Sequence, residues 1–262
     1  MLLKTTNFSI KTWNQKLETK NYKFLNYKQM HLFYNTVISD NIINLCEEES
    51  KHCVRVLRLK QNDIVWITDG LGKMYKTSII DDNKKNCVLQ VVEVFENYKK
   101  RPFKLHVAIS TLQSADRLEW FVEKATEVGV DEITPILCEH SELKNVNIKR
   151  LQKVAVSAMK QSLKAYLPKI NSLIKFSDFI KNDFIGQKGI AYCIDERKHI
   201  ADWYTKNSDC LILIGPEGDF SQKEIDLALQ NKFTGISLGN SRLRTETAAV
   251  TACVAVNLLN KT

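Results

Sequence analysis

From residue 30 to about residue 100 the chain alternates short apolar runs with turn residues. Residues 63–68 (DIVWIT), 76–80 (KTSII) and 87–95 (CVLQVVEVF) are rich in β-branched and aromatic side chains. Asp69-Gly70 and Asp81-Asp82-Asn83 punctuate them as turns, which predicts strands. The segment 31–34 also begins strand-like. Strands at this spacing suit a small barrel or curled sheet. Between them, 50–58 (SKHCVRVLR) spaces His52, Arg55 and Arg58 three positions apart, on one face if the segment is helical.

Beyond 99–102 (KKRP), a charged linker ending in Pro, strand and helix periods alternate. Strands are predicted at 105–110, 132–137, 189–194, 210–214 and 235–238. The helix at 117–128 places Leu118, Phe121, Val122, Ala125 and Val128 on one face and stops at Gly129. Further helices are predicted at 148–163, at 221–230 behind a Ser221/Glu224 capping box, and at 246–259. This order implies an α/β domain with a largely parallel sheet, whose ligands bind at the carboxyl ends of strands.

Composition narrows the class. In 262 residues, 44% are hydrophobic and only 9 are Gly and 4 Pro, which excludes collagenous or wholly disordered chains. No apolar run approaches the length of a membrane span. Seven cysteines are scattered singly, without paired spacing, as expected of thiols in a reducing, cytoplasmic setting. Five dispersed histidines give no metal-binding pattern, so no metal is expected. The formal charge of +8 points to a polyanionic partner. Residues 1–29, however, hold six Lys against one Glu, so most of that excess sits in a segment read as a loosely ordered basic extension.

Three predicted strands run into conspicuous loops: Gly215-Pro-Glu-Gly218, the stretch from Gly239 to Thr247 (GNSRLRTET), and Asp195-Glu196-Arg197. Their glycines permit close backbone approach or positive φ. The P-loop and dinucleotide fingerprints are absent, which argues against ATP or NAD. Thr245 suits the cap of the last helix. Arg244 and Glu246 stand at the start of that helix, rich in small residues, where backbone and ligand come close. No spacing singles out a Ser-His-Asp, Cys-His or paired-acid arrangement.

IGPEGDFSQKE (214–224), LG followed by RLRTETAA (238–249), EWFVEKATEVGVDEITPI (119–136), MKQSLK (159–164) and HCVRVLR (52–58) resemble, in order and spacing, the RsmE-type 16S ribosomal RNA uridine N3-methyltransferases of the SPOUT class. The resemblance runs from about residue 30 to residue 260. It implies a PUA-like β-barrel over 30–101 and a SPOUT methyltransferase domain over 102–262 with a C-terminal trefoil knot. It also implies S-adenosylmethionine as cofactor, a homodimer formed through the SPOUT domain, and a 16S ribosomal RNA or 30S substrate methylated at a uridine of the decoding region. Carried over residue by residue, the cofactor site comprises Ile214, Gly215, Glu217, Gly218, Leu238, Gly239, Leu243, Arg244, Thr245 and Glu246, with Thr111, Leu112, Asp195 and Glu196 nearby. Arg244 is then the expected electrostatic partner of the reacting base, and Glu217 or Glu246 its base or orienter.

His52, Arg55 and Arg58 are candidate RNA phosphate contacts, as are Lys160, Gln161, Lys164 and Arg242. Of the last four, Gln161 matches the family pattern, whereas Lys160, Lys164 and the shifted Arg242 depart from it. Better-known members have an acidic residue, Gln and a later Arg at 160, 161 and 164, often an Arg at 241 where this chain has Ser241 followed by Arg242, and a Lys where Ser114 stands. Two other readings fit the residues: a SPOUT enzyme with another RNA target, and a non-catalytic RNA-binding assembly factor.

Overall fold

The computed structural model describes residues 30–38, 41–193 and 197–261. The basic segment 1–29 and the acidic pair Asp195 and Glu196 lie outside the described residues. A five-stranded sheet forms first, in the order β1-β3-β4-β5-β2: β1 Leu32–Tyr34, β2 Ile42–Asn44, β3 Ile64–Thr68, β4 Met74–Asp81 and β5 Val88–Phe95. Its neighbours pair antiparallel except β1 with β3, where Leu32 faces Trp66 in parallel register. Alternating residues turn inward, so Phe33, Ile43, Val65, Ile67, Ile79 and Leu89 make a closed apolar core.

The 50–58 segment is a short helix, α1 (Glu47–Lys51), continued by one π-helical turn over His52–Val56. Arg58 then adopts a left-handed backbone, φ 58°. Only His52 and Arg55 are therefore in the helical stretch, and the single helical face predicted for all three residues is not formed. All three are exposed.

The second sheet has the order β11-β13-β10-β12-β6-β7-β8, with β9 also on β7, and all of its pairings are parallel. The strands are β6 Leu105–Ser110, β7 Glu132–Leu137, β8 Lys169–Ile170, β9 Ile174–Lys175, β10 Gln187–Ala191, β11 Lys198–His199, β12 Cys210–Ile214 and β13 Thr234–Ser237. Every residue of β12 is buried, because helices cover both faces and a central parallel strand has no polar side to present. Val107, Ile109, Ile212 and Ile214 point to one face, towards α2 (Ala115–Val128), α3 (Ile148–Gln161) and α7 (Thr245–Asn260). Ala108, Leu211 and Leu213 point to the other, towards α4 (Phe176–Phe179) and α6 (Gln222–Gln230). A single turn, α5 (Ile200–Trp203), follows β11.

Local chemistry sets the helix ends. The Ser114 side chain caps α2, and Gly129 stops it at φ 125°. The Ser221/Glu224 capping box is formed at α6, and the same Glu224 accepts from the Glu139 backbone N–H at 2.9 Å, tying two strand-end loops together.

The two sheets meet through the β3–β4 turn. Gly72 N–H donates to the Ala165 carbonyl (3.0 Å) and Leu167 N–H to the Gly70 carbonyl (2.9 Å). Gly70 and Gly72 have φ of +73° and +112°, and the Tyr166 ring lies where a side chain at position 72 would stand, so this approach requires glycine. Lys160 pairs with Glu49 of α1 at 2.5 Å, on a flank of the same junction.

Candidate active site

The carboxyl ends of β10, β12 and β13 and the start of α7 enclose a cleft of about 340 Å³. Ile214, Gly215 and Glu217 come from the loop after β12, Leu238 and Gly239 from the end of β13, and Arg242, Leu243, Arg244 and Thr245 from the loop into α7. Loops about 25 residues apart in sequence thus share one cleft because β12 and β13 both pair in parallel with β10, which puts their carboxyl ends on the same edge of the sheet. Gly239, at φ 127°, has nothing within 4 Å of the position its side chain would take. It leaves open space, while its own N–H and carbonyl are both engaged by the Ser237 hydroxyl. Gly215 has another role: a Cβ there would sit 2.9 Å from the Phe220 ring, so its glycine serves packing.

Four lining residues that sequence reasoning missed are Tyr192, Cys193, Arg197 and Asp219. The Tyr192 ring lies over Gly235, a strand glycine whose Cβ would strike it. Asp219 accepts from the Cys193 and Phe220 backbone N–H groups, both at 2.8 Å, and so stitches the β10 loop to the β12 loop. The Arg197 guanidinium donates to the Tyr192 carbonyl. Asp219 directly follows the GPEG motif and Arg197 belongs to the strand-end loop 195–197 singled out in the sequence, so both positions carried a signal. Tyr192 and Cys193 carried none, since both read as part of a strand predicted over 189–194, whereas β10 ends at Ala191. Burial, reinforced by Asp219, pushes the Cys193 thiol up from its ordinary value, which makes it a poor nucleophile.

Thr111 and Leu112 are buried and line a separate pocket of about 50 Å³ under α2. There the Thr111 hydroxyl donates to the Leu143 carbonyl at 2.6 Å. Gly218 packs against His140 and is not among the cleft residues. The cap position of α7 belongs to Arg244, with no side-chain cap bond, and not to Thr245.

The carboxylates are organised by Arg117, a residue of α2 with no motif signal. Its guanidinium lies 3.7 Å from Glu217 Oε1 and 3.9 Å from Glu246 Oε1. Glu217 Oε1 also accepts from the Gln113 backbone N–H at 3.2 Å. Glu246 sits in the first turn of α7, where the helix dipole favours a carboxylate. Its side chain is 9% exposed, and its Oε2 is buried without a hydrogen-bond partner.

Away from the cleft, Lys160 and Gln161 end α3. Lys164 follows it and is held below the ordinary lysine value by burial and by the nearby Arg101 and Lys99 charges. Among the described residues no cluster of His, Cys, Asp and Glu is arranged to hold a metal, and no helix is long and apolar enough to cross a membrane.

The cleft fits a small, partly apolar ligand: its volume is in the range of small-molecule sites, it combines Ile214, Leu238, Leu243 and Ala248 with three arginines, and Gly239 leaves open space where a side chain would stand. An RNA methyltransferase domain model matches residues 99–257, and an RNA methyltransferase PUA domain model matches residues 45–92. The ribosomal RNA small subunit methyltransferase E of Rickettsia conorii is 32% identical over 88% of this chain and 96% of its own length. A crystal structure of a probable rRNA-methyltransferase from Porphyromonas gingivalis superposes with a TM-score of 0.82 at 39% identity, covering 88% of this chain and 99% of that one. A putative methyltransferase from Legionella pneumophila, solved in complex with the bound cofactor SAM, gives 0.79 at 26% identity over 88% and 98%. With matches along nearly its whole described length and the motif-bearing loops gathered in one cleft, the chain belongs to the ribosomal RNA small subunit methyltransferase E family.

Proposed function

We propose that this protein transfers a methyl group from S-adenosylmethionine to N3 of a uridine in the decoding region of 16S ribosomal RNA, in the cytoplasm. The observation that carries the reading is the cleft itself: the GPEG and LRTET loops, a linear distance apart, close on one ligand-sized space at the carboxyl ends of parallel strands. The Legionella relative's structure with its bound cofactor supports the identity of the ligand. The placement of β10 between β12 and β13, with α7 returning to pack on β6 and α2, agrees with a knotted SPOUT chain. We read 30–101 as the RNA-binding barrel and 102–262 as the catalytic domain acting as a homodimer. The exposed His52, Arg55 and Arg58, with Lys160, Gln161, Lys164 and Arg242, serve the RNA.

Bound S-adenosylmethionine supplies an electrophilic methyl on a positively charged sulfur. The protein's task is then to place N3 in line with that methyl and to remove the imide proton. Arg244, at the rim of the cleft, stabilises negative charge developing on the uracil carbonyl oxygens. Glu217 and Glu246, both within 4 Å of the Arg117 guanidinium, are the carboxylates we assign to receive or orient that proton. Leu238, Leu243 and Ile214 would hold the apolar part of the cofactor and keep water from it.

The test is Arg244→Ala, assayed for S-adenosylmethionine binding by equilibrium dialysis and for methyl transfer to 30S particles. The reading expects near-normal binding with turnover reduced at least about 100-fold, the scale of a lost transition-state donor. Normal turnover refutes the catalytic role, and lost binding makes Arg244 a residue of the cofactor site alone.

A further inference from the structure

A second cavity, of about 610 Å³, opens on the far side of the loop that walls the cleft. Arg242, Leu243 and Arg244 line both spaces, so the two are neighbours divided by three residues. The rest of the second cavity includes Arg117, Trp120 and Glu246. Trp120 is out of place on ordinary grounds. It lies on α2, whose apolar face is formed by Leu118, Phe121, Val122 and Ala125, yet it is 43% exposed, lining this cavity and also the groove between α2 and α3. Glu246 is equally unusual, because its Oε2 is buried with no partner although its Oε1 has Arg117. A desolvated carboxylate oxygen without a donor costs free energy unless a ligand supplies one.

From this juxtaposition we propose that the second cavity receives the target base, flipped out of its RNA, with Trp120 as the stacking surface and Glu246 Oε2 as acceptor of the imide proton. The proposal rests on the methylation reading and selects Glu246 over Glu217 as the base. The lining sets Arg117, Arg242 and Arg244 against Asp116 and Glu246, so its charges alone do not exclude a phosphate, but a phosphate uses neither the indole face nor a carboxylate acceptor. Uracil fits each feature. It has apolar faces for the indole, two carbonyl oxygens for arginine donors, and one N–H between them for a carboxylate acceptor. Cytosine presents a lone pair at N3 against that carboxylate, so the same group discriminates against it. In the step, the N3–H proton passes to Glu246 Oε2 and the N3 electron pair forms the bond to the methyl carbon. The carbon–sulfur bond breaks with its electrons returning to sulfur, which leaves methylated uracil, S-adenosylhomocysteine and a neutral Glu246 carboxyl. Arg117, holding Oε1, is a positioning residue for this group.

The experiment measures steady-state methyl transfer from labelled S-adenosylmethionine to 30S particles assembled on transcribed 16S ribosomal RNA, alongside cofactor dissociation constants, for the full-length wild type and three variants. Trp120→Ala is expected to raise KM for the particle by roughly 5- to 150-fold, the loss of one base–aromatic stack, with cofactor affinity unchanged. Trp120→Phe is expected to recover most of it. Glu246→Gln is expected to lower kcat by about 100-fold or more while KM for RNA changes less than about threefold. Unaltered RNA KM in Trp120→Ala, an equal loss of cofactor affinity, or undiminished kcat in Glu246→Gln overturns the proposal. If the wild type transfers no label at all, the methylation reading itself fails, a distinct result from a wild type that works and variants that match it.

Discussion

Arg101 stands where the linker enters the second sheet, and its replacement by Met tests how the catalytic domain is fastened. The guanidinium donates to the Gly129 carbonyl (2.9 Å), to Asn257 Oδ1 (2.8 Å) and to Asp131 Oδ2 (2.5 Å), and it lies 4.9 Å from the centre of the Phe103 ring. One side chain thereby joins the linker, the turn after α2 and the C-terminal part of α7. Its side chain is 18% exposed and that of Asp131 31%, so the pair belongs between a surface bridge, worth under about 1 kcal/mol, and a fully buried one, whose breakage costs about 3–5 kcal/mol. Two of the partners keep other donors: Leu105 N–H reaches Asp131 (2.7 Å) and Asn257 Nδ2 reaches the Gly129 carbonyl (2.8 Å). That places Arg101→Met near 2 kcal/mol, since Met keeps most of the packing on Phe103 and removes only the charge-assisted bonds. In a chain of this size about 2 kcal/mol lowers Tm by roughly 4–8 °C. Urea titration followed by circular dichroism should show the midpoint falling with the slope unchanged. A double variant with Asn257→Leu should cost less than the sum of its parts, because the two side chains share a bond. A loss below about 0.5 kcal/mol, or strict additivity, refutes the fastening role.

Three further outcomes are expected. Burial holds His106 near a pKa of about 4 against an ordinary 6.5, with nearby Glu132 opposing the shift, and the ring shares a 2.8 Å hydrogen bond with Thr134 Oγ1. The unfolded chain therefore binds a proton that the folded one refuses. Stability should decline as pH falls from about 6.5 to about 4, by about 3 kcal/mol in total, and His106→Phe should flatten that decline in urea midpoints measured across the range. Gly235→Ala forces the Tyr192 ring off its seat, so stability should drop by about 1–3 kcal/mol and dialysis should show weaker S-adenosylmethionine binding; unchanged affinity would remove Tyr192 from the cofactor wall. Neutralising Arg55 and Arg58 together should lower RNA affinity and reduce the slope of log K against log salt by about 1–2, as expected for two lost phosphate contacts, while an unchanged slope in filter binding excludes them from the interface.

The parts of the fold legible in the sequence are those where one physical demand dominates a run of residues. The strands Leu105–Ser110, Glu132–Leu137 and Cys210–Ile214 are runs dominated by apolar and β-branched residues, and the structure has the same bounds. The Ser221/Glu224 box marks its helix because both residues act locally. The two- and three-residue strands β2, β8, β9 and β11 and the single turns α4 and α5 have no such run, since neighbouring strands and loops impose them. At the site, motif loops disclosed Ile214, Gly215, Glu217, Leu238, Gly239, Leu243 and Arg244 as cleft residues. Arg117 and Tyr192 escaped because each reaches its place from a segment with an unremarkable helix or strand pattern, and Trp120, although inside the 119–136 motif, reads there as one residue of a helix and not as a cavity wall. The charge excess that first pointed to nucleic acid belongs mostly to residues 1–29, so the RNA reading rests instead on a few exposed cations and the cleft.

The central claim is methyl transfer to N3 of one uridine. Incubating the protein with methyl-labelled S-adenosylmethionine and 30S particles carrying transcribed 16S ribosomal RNA, then digesting the RNA and identifying the labelled nucleoside by mass spectrometry, addresses it directly. One equivalent of label recovered as 3-methyluridine, from a single fragment of the decoding region, is the expected result. Label on a different base or ring atom, label in another RNA region, or no transfer by protein that binds the cofactor contradicts it.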